Sequence, residues 1–212
     1  MKDMNEKISQ GGPCILIGTQ MLAKGHDFKH ITSVFVLDTD AELFHPDFKS
    51  QERLGQLLTQ VAGRGGRGIS SSEIFLQTYY PNHPLLEKLT NGNYKEFLKE
   101  IGKEREITSM PPFSFVTLIR ANSVNEKNAV DFLNLVKKIV ERVEPQSPQN
   151  QYLGPIPSML EKRAGRYRYN FQIKTHTRSK MHILLTKLIE QLSKTKSFSN
   201  VRWSIDVDPI EL

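Results

Sequence analysis

Cysteine is nearly missing from this chain: Cys14 is the only one in 212 residues. One thiol makes neither an internal disulfide nor a cysteine-based structural zinc site. No apolar run approaches the roughly 18–20 residues of a membrane span, so no membrane partner is expected. The opening stretch, Met1 to Gly12, lacks the apolar segment of a secretory signal, which points to the cytoplasm. Aromatic residues are 8 % of the chain, with a single tryptophan. What is present is ordinary globular composition: 38 % hydrophobic and 25 % charged residues, enough length for one large domain or two small ones.

The net charge of +6 is unevenly spread. Residues 1–80 hold 8 Lys/Arg against 9 Asp/Glu, whereas residues 81–212 hold 21 against 14. Within 151–205, 11 basic residues face only Glu161 and Glu190. So concentrated a positive excess suggests a polyanion, most often nucleic acid.

Short apolar runs at 14–17 (Cys14-Ile15-Leu16-Ile17), 33–37 and 73–78 read as strands, the first two as strands buried on both faces of a parallel sheet. Between them Leu54, Leu57, Leu58 and Val61 recur at helical spacing over about 50–62. This order predicts part of an α/β sheet over 1–80. Residues 81–112 read as a helical connector that stops at Met110-Pro111-Pro112-Phe113. Beyond it the spacing predicts strand 115–121, helix 126–143, a short strand near 152–156, strand 167–175, helix 178–193 and strand 201–207. That β-α-β-β-α-β order predicts a ferredoxin-like, split-βαβ α+β domain over 113–212. The strands at 15–18 and 33–37 are expected to expose an edge, with self-association or a mobile N-terminal third as the consequence.

The strongest chemical signal is Gln60-Val61-Ala62-Gly63-Arg64-Gly65-Gly66-Arg67-Gly68. If the helix continues, Gln60, Arg64 and Arg67 share a face opposite the leucines. Two permanently charged guanidinium forks suit a polyphosphate, and the glycines allow close approach. A disordered Gly/Arg tether or a solvated turn are the plainer readings. A second cluster, Lys162-Arg163-Ala164-Gly165-Arg166-Tyr167-Arg168-Tyr169, combines phosphate-seeking charge with tyrosine faces on which unpaired bases can stack. Its plainer reading puts the tyrosines in a strand's core face and the arginines in water. His26 and His30 lack a third donor, so no metal site is expected. Asp38 and Asp40 read mainly as turn formers, Cys14 and Trp203 as core residues, and Glu42 and Asp47 receive no role.

The segment Gly18-Thr19-Gln20-Met21-Leu22-Ala23-Lys24-Gly25-His26-Asp27-Phe28 follows an apolar run, where α/β sheets place ligand loops. With Gln60-Val61-Ala62-Gly63-Arg64 it resembles motifs V and VI of superfamily-two helicases, in the second RecA-like lobe. Pro111-Pro112-Phe113, Arg163-Ala164-Gly165-Arg166-Tyr167-Arg168-Tyr169 and Trp203-Ser204-Ile205-Asp206-Val207-Asp208-Pro209-Ile210 extend the likeness. From about Ile15 onward the chain resembles the primosomal protein N′ family, the PriA-type replication-restart DNA helicases.

That resemblance implies an ATP-dependent 3′→5′ helicase acting at stalled or branched forks and initiating primosome assembly. Arg64 and Arg67 would be catalytic arginines reaching a nucleotide, with Gln60, Gly25 and Asp27 nucleotide-linked. Thr19, Lys162, Arg163, Arg166, Tyr167 and Arg168 would contact DNA. It implies branched and single-stranded DNA, single-stranded-DNA-binding protein and other primosome proteins as partners, and ATP with Mg²⁺ as cofactors of the complete enzyme. Gly65, where the family commonly has alanine, and Lys29, where proline is frequent, are minor departures. The larger departure is that neither a G-x-x-x-x-G-K-[ST] phosphate loop nor a DExH motif is here, and the family's zinc module is missing. The sequence therefore reads as a C-terminal fragment, expected to bind DNA without turning over ATP. A stand-alone nucleic-acid-binding module is one alternative. A scaffold docking the acidic tail of single-stranded-DNA-binding protein is the other.

Overall fold

The structure, a computed structural model, describes residues 15–19, 32–65, 73–195 and 198–211, with the backbone alone for 63–65. The chain divides into two compact units, one up to Glu104 and one from Arg105.

In the N-terminal unit β1 (Ser33–Val36) and β2 (Glu73–Leu76) pair in parallel, Phe35 opposite Phe75. Helices α1 (Thr39–Leu43) and α2 (Ser50–Gly65) lie between them in sequence, and α3 (Pro84–Thr90) and α4 (Tyr94–Ile107) follow. The core gathers Leu43, Leu54, Leu58, Leu85, Leu86, Phe97 and Ile101, with Val36 and Leu76 packed against it. A methyl group at Gly55 would lie 2.3 Å from Phe97 Cε1. Glycine inside a helix is worth about 1 kcal/mol less than alanine, but here it makes room for a ring that is fully buried. Glu42 and Asp47 prove to be structural. Glu42 accepts a hydrogen bond from the Ser50 hydroxyl, and Asp47, 2 % exposed, pairs with Arg53 at 2.7 Å.

Two expectations are corrected in this unit. Ile15 to Ile17 are in no strand, and Ile15 and Ile17 are 90 % and 89 % exposed; among the described residues no strand pairs with them. Cys14 lies outside the described residues. The 33–37 strand is not buried on both faces: Val34 and Val36 are half-buried, and on the other face Phe35 stacks on Phe75 at 4.8 Å and remains 65 % exposed. The helix begun at Ser50 runs on to Gly65 despite its glycines.

In the C-terminal unit the elements are β3 (Phe115–Ser123), α5 (Glu126–Val143), β4 (Asn150–Arg163), β5 (Arg166–Thr175), α6 (Arg178–Ser193) and β6 (Arg202–Val207). The four strands form one antiparallel sheet in the order β4-β5-β3-β6. The molecule is thus mixed α/β, with a small parallel sheet and a larger antiparallel one. Alternation turns the odd-numbered positions of β3 and β5 toward the helices, while Val116 and Leu118 of β3 are buried on the opposite face. On the helix side Ile119, Ala121, Tyr169, Phe171 and Ile173 meet Phe132, Leu133, Val136 and Val140 of α5 and Met181, Leu184, Leu185 and Leu188 of α6. Both helices start on a side-chain cap. Asn125 accepts the Lys127 N–H at 3.0 Å, and Thr177 accepts that of Lys180 at 3.3 Å.

The C-terminal end of α5 is tied down by Glu144. Its carboxylate receives Lys180 Nζ at 3.0 Å and Asn150 Nδ2 at 2.9 Å, and its carbonyl accepts the Tyr152 hydroxyl at 2.8 Å. Lys180, first by its hydrogen bond and then by its charge, holds the Glu144 carboxyl below its ordinary range. Burial, followed by the nearby charges of Glu144 and Glu141, pushes the Tyr152 phenol up to about 12.

Candidate nucleic-acid interface

Strands β4 and β5 form a hairpin that closes on Ala164-Gly165, both at positive φ (48° and 74°). Two-residue hairpin turns of this kind need that backbone because its twist matches that of the strands. Arg163 faces Arg166 across the turn, and Lys162 faces Tyr167. Behind the turn, register jumps from the Pro157–Tyr169 pair to the Lys162–Tyr167 pair, so Ser158 to Glu161 oppose Arg168 alone. Such an insertion bends and twists its strand. A second irregularity lies at Gly154 (φ 127°), where an added methyl would stand 2.7 Å from the Asn170 carbonyl oxygen.

The basic residues of this hairpin occupy different environments. Lys162 and Arg163 are exposed, while Arg166, Tyr167 and Arg168 are half-buried. Lys162 Nζ sits 4.5 Å from the Tyr167 ring centroid and 3.3 Å from its hydroxyl. Arg166 is engaged on β3: its Nε donates to Asn122 Oδ1 at 2.7 Å, and a terminal nitrogen to the Asn122 carbonyl at 3.1 Å. Tyr169 is a core residue whose hydroxyl donates to the Glu126 carboxylate, and that bond, with burial, raises its pKa to about 12. Arg163 and Arg168 take no hydrogen bond or ion pair among the described residues. The hairpin therefore presents uncommitted guanidinium groups on a rigid scaffold, the chemistry that suits phosphate oxygens.

Among the residues expected to serve nucleotide or motor chemistry, Thr19 is exposed and in no helix or strand. Gln60 is exposed on α2, and Arg64 lies four residues further along the same helix. Gly25, Asp27 and Arg67 lie outside the described residues. Asp40 is occupied structurally, its carboxylate accepting the Thr78 hydroxyl and the Tyr79 N–H. Among the described residues no three His, Cys, Asp or Glu side chains cluster as a metal site.

The primosomal protein N C-terminal domain family matches residues 106–210, a span holding the whole antiparallel sheet and both of its helices. Over 207 residues, 98 % of this chain, the sequence is 40 % identical to the replication restart protein PriA of Haemophilus influenzae. The chain belongs to the PriA family. Its likeness to the PriA proteins of Synechocystis and Bacillus subtilis is 34 % and 33 %, again over 98 % of this chain. It spans 28 %, 24 % and 26 % of these three relatives, about a quarter of their length. The basic hairpin falls inside the matched PriA domain. Thr19, Gln60 and Arg64 precede that domain in sequence.

Neither Asn122 nor Arg202 stood out in the sequence as a site residue, yet Asn122 receives Arg166, and the β3 register sets Arg202 opposite it. The legible signal was the alternation Arg202-Trp203-Ser204-Ile205-Asp206-Val207, which sends the polar residues to one face and the apolar ones to the other.

Proposed function

We propose that this chain is the C-terminal portion of an ATP-dependent 3′→5′ DNA helicase of replication restart. In the complete protein it helps recognise stalled or branched forks and start primosome assembly in the cytoplasm. The observation that carries this reading is the PriA likeness over 98 % of the chain. Residues 1–80 are read as part of a RecA-like lobe, 81–112 as a helical connector and 113–212 as a ferredoxin-like DNA-binding domain. The antiparallel order β4-β5-β3-β6, with both helices on one face, supports the last of these.

The chain is read as unable to hold an ATP–Mg²⁺ complex by itself, because its sequence has no phosphate-loop motif. Arg64 and Arg67 are therefore read as charges offered to a nucleotide held elsewhere in the complete enzyme, with Gln60, Gly25 and Asp27 beside them and Thr19 near the DNA backbone. Lys162, Arg163, Arg166, Tyr167 and Arg168 are read as the DNA-contacting hairpin.

The test is equilibrium binding of forked DNA by the purified chain and by its K162A/R163A variant, across a salt series. Each lost phosphate contact makes the slope of log K against log salt shallower by about 0.9. A shallower slope for the variant supports the hairpin as a DNA contact, and an unchanged slope defeats it.

A further inference from the structure

Helices α5 and α6 cover one face of the C-terminal sheet; on the other face Val116 and Leu118 are buried, and positive charge collects beyond them, around Asn122. Register places Arg168 of β5 and Arg202 of β6 on either side of Asn122 of β3, in one row across three strands. Adjacent strands lie about 4.8 Å apart, so the two arginine stems rise about 10 Å apart with a neutral amide between them. Arg166, two residues from Arg168, reaches over the row to bond Asn122 twice. The next row is Asn170, Arg120 and Ser204, in which Arg120 is taken by Asp206. Among the described residues Arg168 and Arg202 take no hydrogen bond or ion pair. Like charges gathered on neighbouring strands destabilise a sheet, so three guanidinium groups around one amide call for an anion.

The chemistry of the face narrows which anion. No aromatic ring stands among the even-numbered positions of β3, β5 and β6, because Tyr167, Tyr169 and Trp203 point to the helix side. Unpaired bases thus have nothing to stack on here. Across β3, β5 and β6 neither row carries an apolar side chain; the apolar residues of this face, Leu153 and Ile156, stand on β4, at the sheet edge away from Arg202, so the row around Asn122 offers a peptide no central anchor. What remains is a flat row of planar donor forks, suited to successive phosphates.

We propose that Arg166, Arg168 and Arg202, grouped around Asn122, seat the sugar-phosphate backbone of duplex DNA. This rests on the DNA-binding reading above and adds to it a second strand edge, β6, and a preference for paired over unpaired DNA.

The experiment measures binding of the full 212-residue chain to a blunt duplex, a single strand of equal length and a poly-glutamate peptide between about 50 and 200 mM salt. For R168Q/R202Q the duplex slope is expected to become shallower by about 1.8, the single-strand slope to change less, and R168K/R202K to restore most of it. R202Q alone, on an exposed edge strand, is expected to give half the change and guards against a folding defect in the double variant. If the chain binds duplex but the slope is unchanged in these variants, this inference falls and the DNA-binding reading stands. A change confined to the single strand, or to the peptide, also overturns it. If the unaltered chain binds no DNA, both readings fall together.

Discussion

Arg163 and Arg166 face each other across one hairpin turn and carry the same charge, but they should fail differently when replaced. Arg166 makes two hydrogen bonds to Asn122, at 2.7 and 3.1 Å, in a half-buried position. Hydrogen bonds involving a charged group contribute roughly 1.5–3 kcal/mol each when buried, and partial exposure lowers that. A loss of about 1–2 kcal/mol is therefore expected for R166A, which for a domain of about 100 residues lowers Tm by roughly 4–10 °C. R163A removes an exposed side chain with no partner among the described residues and should stay within about 0.5 kcal/mol of the parent. R166K should recover little, because an ammonium group lacks the planar fork that spans the Asn122 side chain and carbonyl. N122A should reproduce part of the R166A loss, since it leaves the carbonyl in place. Thermal unfolding followed by circular dichroism reads all four variants. Equal stability of R166A and R163A would refute the idea that Arg166 clamps the hairpin to β3.

Two further outcomes follow from the cores. Phe97, fully buried against Gly55, should cost about 3–5 kcal/mol when cut to alanine; G55A should also destabilise, despite alanine's better helix propensity, and urea unfolding that ranks G55A above the parent would contradict the packing. Tyr152 and Tyr169 are raised from 10 to about 12 in the folded chain, so the unfolded state loses its phenolic protons first: their contribution is complete below pH 10 and is lost as pH rises from 10 to 12. Phenolate absorbance should show two tyrosines ionising near pH 12, and Y152F and Y169F should each abolish one of them.

The C-terminal unit was largely legible because its local signals agree. The pattern placed α5 at 126–143 and α6 at 178–193, where they are found, each behind a capping residue. Strand β4 was foreseen only near 152–156, whereas it runs from Asn150 to Arg163. Gly154, Pro155 and Pro157 argue against a strand, and two register irregularities on an edge strand accommodate them. Helix α1 was unread because it is five residues long and opens after Asp38 in left-handed backbone, with no side-chain cap. Of the candidate interface, the charge of the hairpin could be read directly. Arg166's commitment to Asn122 could not, since it depends on which strand lies beside β5, a fact that no local spacing encodes.

The proposed role, a DNA-binding part of a restart helicase that does not itself turn over ATP, is tested most directly by titrating labelled forked DNA with the purified 212-residue chain, with and without ATP, while following phosphate release. The expected result is salt-sensitive binding that ATP leaves unchanged and no DNA-stimulated phosphate release. ATP turnover by the chain alone, or no measurable affinity for the fork at low salt, would contradict it.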